Sequence, residues 1–243
     1  MPLSQETLTL PARGWRIDPR KALAVSAAAW IGFASIVWRV TTDRSEAFDS
    51  LGLLFWRDAN LAPRGPELLL EAVRDLTALG GVFLRNLIAL GAVIALLFLR
   101  LRREAVLLAM TVMLGWLVGW GMKLLVGRPR PQIVPHLTEA GGASFPSGHS
   151  FNSAVVYIAI ALAFATMSAR ESVRLTIISA AIVLSLAVAW SRVWLGVHFP
   201  TDVTAGWLGG AGWAFLAAAV LRPGARRVAD AATPHTSTME APR

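Results

Sequence analysis

The chain contains no cysteine. That excludes a disulfide framework, a thiolate nucleophile and a cysteine-ligated zinc site, and it leaves the redox compartment unmarked. Charge is also scarce. Asp, Glu, Lys and Arg make up 16% of the 243 residues, against roughly 25% in an ordinary soluble domain. Lysine is nearly absent: Lys21 and Lys123 stand beside 21 arginines. Apolar residues fill the gap, at 55% of the chain and a mean hydropathy of +0.56. One soluble core cannot hide that surplus. Collagen, coiled coil and disordered chain are excluded by the same composition. A net charge of +8 would point to nucleic acid in a soluble protein. Here the charges fall between long apolar runs, so they read as membrane topology and no nucleic-acid partner is expected.

A bilayer core takes about 20 mostly apolar residues as a helix. Six segments qualify: residues 22–40, 82–99, 105–122, 150–169, 175–191 and 203–221. The second carries Arg85 and Asn86 near one end. The first has a basic flank like a signal peptide, but Trp38-Arg39 follows its apolar run with no convincing cleavage site, so an uncleaved span is expected. The fold class is therefore an all-α integral membrane protein with six transmembrane helices. Arginines cluster before the first span, in the 2–3 and 4–5 turns and after the sixth. The positive-inside rule makes that side cytoplasmic, with both termini inside. Residues 1–21 then form a cytoplasmic N-terminal segment, 22–221 the membrane domain and 222–243 a small, polar, disordered tail. The 1–2 loop lies outside. Within it, Leu69, Val73 and Leu76 recur at helical spacing over residues 66–79. They predict a short amphipathic helix, lying on the membrane surface or packed as a loop helix.

Polar residues at membrane depth need a reason. Three groups fall at the predicted outer face. Lys123, Arg128, Arg130 and Pro131 close the third span. Pro146-Ser147-Gly148-His149 opens the fourth. Ser191-Arg192 closes the fifth, followed by His198 and Asp202 as the sixth begins. Lys123, Arg130 and Arg192 suit a dianionic phosphate, since Arg binds its oxygens as a fork and Lys as a point charge. The helix start at Ser147 and Gly148 adds a hydroxyl, free N–H groups and the positive end of a dipole. His198 and Asp202 stand at i, i+4, which lets the carboxylate hold one ring nitrogen and leaves the other as a nucleophile. His149 is then available to protonate a leaving oxygen. Each residue also has a bland reading. Arg and Lys at helix ends snorkel or set topology, Asp202 can be a helix cap, Arg128 can serve the phosphate or merely stiffen an Arg-Pro-Arg-Pro turn, and His136 reads as a solvated loop residue. Two His and one Asp without a further ligand pair predict no metal. Jointly, on one face of six helices, the bland readings lose.

The motifs Lys123-x6-Arg130-Pro131, Pro146-Ser147-Gly148-His149 and Ser191-Arg192-x5-His198-x3-Asp202 resemble the three signatures of the type 2 phosphatidic acid phosphatase, or lipid phosphate phosphatase, superfamily. Bacterial acid phosphatases and vanadium haloperoxidases share that superfamily. The resemblance implies catalytic roles for His198 as the nucleophile that forms a phosphohistidine, Asp202 as its orienting partner and His149 as the acid for the leaving group and then the base for water. It implies a phosphate clamp of Lys123, Arg130, Arg192, Ser147 and Gly148, with Arg128 outside it, and hydrolysis without metal or other cofactor. The arginine distribution predicts a multi-pass protein of the inner (plasma) membrane, its site facing the periplasm or exterior. The substrate would be a lipid phosphate monoester or diphosphate, of the phosphatidic acid, phosphatidylglycerol phosphate or undecaprenyl diphosphate type, drawn from the membrane lipids around it. Lipid phosphotransfer at the same site is the rival reading. An anion or lipid transporter has no use for a His-Asp pair beside a second His, and the haloperoxidases are soluble.

Overall fold

A computed structural model describes residues 17–220. Eight helices follow in order: α1 (Pro19–Thr41), α2 (Glu46–Leu54), α3 (Glu67–Ala78), α4 (Val82–Phe98), α5 (Arg102–Val126), α6 (Gly148–Ala165), α7 (Glu171–Trp194) and α8 (Pro200–Val220). No strand occurs among the described residues beyond one isolated bridge, Arg57 to Pro63. Most of the expected N-terminal segment and all of the expected tail lie outside the described residues.

Local chemistry sets the helix ends that matter. Asp18 caps α1 through the N–H of Arg20, with Pro19 opening the first turn. Gly127 ends α5 at φ 62°, a left-handed conformation that a side chain would oppose. Ser147 caps α6.

Five helices, α1, α5, α6, α7 and α8, are each long and apolar enough to cross a membrane. A sixth candidate is the pair α3 and α4, bent by 50° at a short break. α4 alone has 17 residues. α4 follows the second expected span, 82–99, and α3 precedes it as a separate helix, with Gly80 and Gly81 in the break between them. α2 was not foreseen, since nine residues are too few to show a periodicity. α3 matches the expected amphipathic helix. Its apolar face is turned to protein: Val73 is buried against Trp194, Leu195 and Val197. Of the two readings of that helix, these contacts are those of a packed loop helix.

α6 and α8 form the centre. About two thirds of each is buried, against 17–28% for α1, α5 and α7. Small residues let their backbones meet, as in close membrane helix pairs. A Cβ added at Gly206 would lie 2.7 Å from the Ser147 carbonyl oxygen. Gly115 and Gly119 of α5 seat Val155 and Phe151 of α6 in the same way. α1 lies along α8, where Ser26 Oγ donates to the Gly212 carbonyl at 2.8 Å. Ile31, Phe83, Phe98 and Leu125 face outward, the surface an apolar solvent would cover.

Candidate active site

One end of the bundle collects the polar residues. The chain runs antiparallel through α5, α6, α7 and α8, so the end of α5, the start of α6, the end of α7 and the start of α8 meet. Lys123 sits in the last turn of α5, His149 in the first turn of α6, Arg192 in the last turn of α7 and Asp202 in the first turn of α8. His198 occupies the connection between α7 and α8.

His198 and Asp202 are both buried. The imidazole turns Nδ1 toward Asp202 Oδ2, at 3.5 Å, with Ser144 Oγ 3.3 Å from the same nitrogen. Asp202 Oδ2 also accepts a short hydrogen bond from Ser144 Oγ and one from the Phe199 N–H at 3.0 Å. Its other oxygen, Oδ1, takes Nη1 of Arg128 at 2.7 Å. Arg128 extends to Asp49 of α2, Nη2 to Oδ2 at 2.8 Å. Asp49 in turn accepts from the Thr201 N–H at 3.0 Å and from Thr201 Oγ1 at 2.7 Å. A carboxylate fixed on both oxygens holds the ring in one orientation and favours the proton on Nδ1. Nε2 then points away from Asp202 and meets Nη1 of Arg130 at 3.1 Å. Burial lowers the His198 pKa to about 4, although the hydrogen bond and charge of Asp202 pull the other way. The ring is thus neutral near pH 7.

The cations surround that nitrogen. Arg130 also donates Nη1 to the Val197 carbonyl at 2.8 Å, Nη2 to Gly141 at 2.8 Å and Nε to Gly142 at 3.2 Å. Lys123 Nζ donates to the next carbonyl, Ala143, at 2.6 Å. Arg192 is buried, bonds Thr77 Oγ1 of α3 at 2.9 Å through Nη1, and leaves Nε with no hydrogen-bond partner. Among the described residues, no carboxylate lies within ion-pair distance of Lys123, Arg85, Arg130 or Arg192. Buried charge without a counter-charge is costly, and an anionic ligand with several oxygens would supply it. Gly148 lies beside Lys123, where an added Cβ would be 3.6 Å from Cε. Ser147 is fully buried, its Oγ accepting from Ser150 Oγ at 3.0 Å.

Residues 104–224 match the family model described as PAP2 superfamily. The chain carries a PAP2 superfamily domain. A curated relative named phosphatidylglycerophosphatase B, from Bacillus subtilis, is 40% identical over 88 residues, covering 35% of this chain and 42% of the relative. One named lipid A 1-phosphatase, from Rhizobium etli, is 33% identical over 120 residues, covering 46% and 47%. The chain thus spans about half the length of the curated relatives it matches. The fold matches a crystal structure described as a transmembrane PAP2-type phosphatidylglycerolphosphate phosphatase from Bacillus subtilis. That likeness has a TM-score of 0.71 at 23% identity and covers 86% of this chain and 98% of the other.

Within this PAP2 domain, Lys123, Arg130, Ser147, Gly148, His149, Arg192, His198 and Asp202 all reach the same end of the bundle. Arg128 requires a correction: it neither faces the phosphate position as a free cation nor only stiffens the turn, but bridges Asp202 and Asp49. His136 is exposed, with Nε2 2.7 Å from the Pro131 carbonyl. Sequence reasoning missed Asp49, Thr77 and Ser144. The first two belong to helices before residue 104, outside the matched segment, and read there as ordinary acidic-loop and helix residues. Ser144 stands two residues before the Pro146 motif and carried no pattern of its own.

Proposed function

We propose that the protein is a membrane phosphatase that releases phosphate from lipid phosphates through His198. The observation that carries this reading is the bipolar setting of that ring: Nδ1 toward a buried carboxylate, Nε2 toward Arg130. In the proposed reaction Nε2 attacks phosphorus, forming an N–P bond as the bond to the lipid oxygen breaks. His149 gives its proton to that oxygen. It then takes a proton from water, whose oxygen attacks phosphorus and breaks the N–P bond. Lys123, Arg130, Arg192 and the N–H of Gly148 hold the phosphoryl oxygens, where charge grows in the transition state. The names of the relatives support a lipid phosphate substrate, and the candidates are phosphatidic acid, phosphatidylglycerol phosphate and undecaprenyl diphosphate. The arginines of the 2–3 and 4–5 turns support a plasma-membrane protein with cytoplasmic termini and an outward-facing site.

The test is rapid-quench phosphoenzyme trapping with the solubilised full chain and labelled phosphatidic acid in mixed micelles. Acid-labile phosphoenzyme is expected in the wild type and in His149→Ala during the first turnover, and none in His198→Ala. Phosphoenzyme in His198→Ala would assign the nucleophile elsewhere. A cytoplasm-active reporter fused at Glu139 is expected to be silent, and strong signal there would place the site inside.

A further inference from the structure

We infer that the turn between α3 and α4, residues 79–81, positions the catalytic end, seating His149 directly and Arg192 through the adjoining Thr77. The inference rests on His149 acting as the acid proposed above. Among the described residues, no protein hydrogen bond orients the His149 side chain, so packing must. Gly80 provides that packing. A Cβ placed there would stand 3.0 Å from His149 Cδ2 and 3.3 Å from its Cβ, and would collide with Val188. The glycine backbone is therefore the wall against which the imidazole rests.

Buried tethers fix that wall. Tyr157 of α6 donates its hydroxyl to the Leu79 carbonyl at 2.6 Å. Arg85 of α4 donates Nη1 to the Gly80 carbonyl at 2.9 Å. One turn back, Thr77 Oγ1 takes Nη1 of Arg192 at 2.9 Å. Arg85 is 3% exposed and has no carboxylate partner. Burying an unneutralised guanidinium to hold one carbonyl is a costly way to fix a turn, which makes sense where the turn carries a catalytic group. Arg85 also lies within electrostatic reach of His149. These residues all precede the matched PAP2 segment, apart from Tyr157 and the two groups they position.

A positioning role predicts a dependence on the leaving group that a purely structural role does not. The solubilised full chain is assayed with phosphatidic acid in mixed micelles and with p-nitrophenyl phosphate, whose leaving group needs no proton. Val188→Ala removes the collision, so Val188→Ala with Gly80→Ala tests the contact to His149 alone, with Val188→Ala as reference. Its rate of phosphoenzyme formation from saturating phosphatidic acid, read by rapid quench, is expected to fall about 10-fold, the scale of a small misplacement. On the nitrophenyl ester it is expected to hold within about twofold, because general acid help is not required there. Arg85→Gln is expected to follow the same pattern. Thr77→Val is expected to raise KM about 10-fold on both substrates by loosening a charged contact, with Thr77→Ser restoring it. Equal losses of that rate on both substrates for the Gly80 pair, or an unchanged KM for Thr77→Val, would overturn the inference. So would an Arg85→Gln defect confined to KM, which would put Arg85 on the phosphate itself. If His149→Ala shows no leaving-group dependence while the wild type is active, the acid assignment falls and this inference falls with it. If His149→Ala shows it and the Gly80 pair does not, this inference alone falls.

Discussion

Arg128 grips Asp202 at 2.7 Å, only two residues along the chain from Arg130, which meets the opposite side of the ring that Asp202 orients. The two arginines act on one histidine from different ends, and they should fail differently. Arg128→Ala is expected to abolish most phosphate release and also to lower the melting temperature. Removing one partner of a buried ion pair leaves uncompensated charge, here on Asp202 and Asp49, worth about 3–5 kcal/mol. Arg128→Lys should rescue poorly, because one ammonium cannot span both carboxylates as the fork does. Thermal unfolding and lipid phosphate turnover, measured on the same preparations, check this. Near-normal activity in Arg128→Ala would mean that Ser144 and the Phe199 N–H suffice to orient Asp202.

The clamp residues should show the opposite balance. Lys123→Ala, Arg130→Ala and Arg192→Ala are each expected to cost about 10²-fold or more in kcat/KM, the usual loss of one preorganised contact to developing charge. Arg192→Met is the sharper variant. The guanidinium is buried without a carboxylate and with Nε unbonded, so an apolar side chain of similar length should keep or raise the melting temperature while activity is lost. A fall in melting temperature would show that the hydrogen bond to Thr77 also holds the fold together.

The pH dependence follows from the burial of His198. Its pKa is lowered to about 4, chiefly by desolvation. Phosphoenzyme formation from p-nitrophenyl phosphate in the His149→Ala background isolates this group. It is expected to stay level as the pH falls to about 5 and to be half-lost near 4, rather than near the ordinary imidazole value of about 6.5. Stability moves with the same sign. Between about 6.5 and 4 the unfolded chain binds a proton that the native ring refuses. This residue's contribution is therefore intact above about 6.5 and lost as the pH falls to about 4. Melting temperatures across that window read it, and His198→Asn should flatten the dependence.

Gly206→Ala tests the seam at which the site is assembled. The added methyl would lie 2.7 Å from the Ser147 carbonyl oxygen and 3.1 Å from Ser150 Cβ. Overpacking against backbone costs about 1–3 kcal/mol, and here it displaces the start of α6 next to Gly148 and His149. Loss of both stability and turnover is expected, whereas Gly91→Ala, in open space, should leave turnover unchanged and serves as the control.

Much of this arrangement is legible in the sequence because hydropathy and short spacings are local properties. The runs that became α1, α5, α6, α7 and α8 announce themselves by length, and His198 and Asp202 by their separation of four. The gaps between prediction and structure have one physical origin. Arg128 reaches Asp49 across 79 positions and Arg192 reaches Thr77 across 115. No periodicity encodes a partner at that distance, so Arg128 looked like a spare cation and Thr77 like any polar residue in a helix. α3 and α4 were legible as separate patterns, but the packing of Gly80 between them against His149 and Val188 was not.

The pairing of α1 with α8 brings the two ends of the described chain together. Ile17 and Ala22 pack with Ala218 and Ala219 in one cluster, while Val40, at the far end of α1, shares another with Ala205 near the start of α8. The two helices are antiparallel neighbours, so the ends of the described chain sit at the same corner, away from the catalytic end. A linker joining residues 17 and 220 across that corner would let the chain be reopened in the turn between α4 and α5. The order in which the helices are strung is then separable from the site they build.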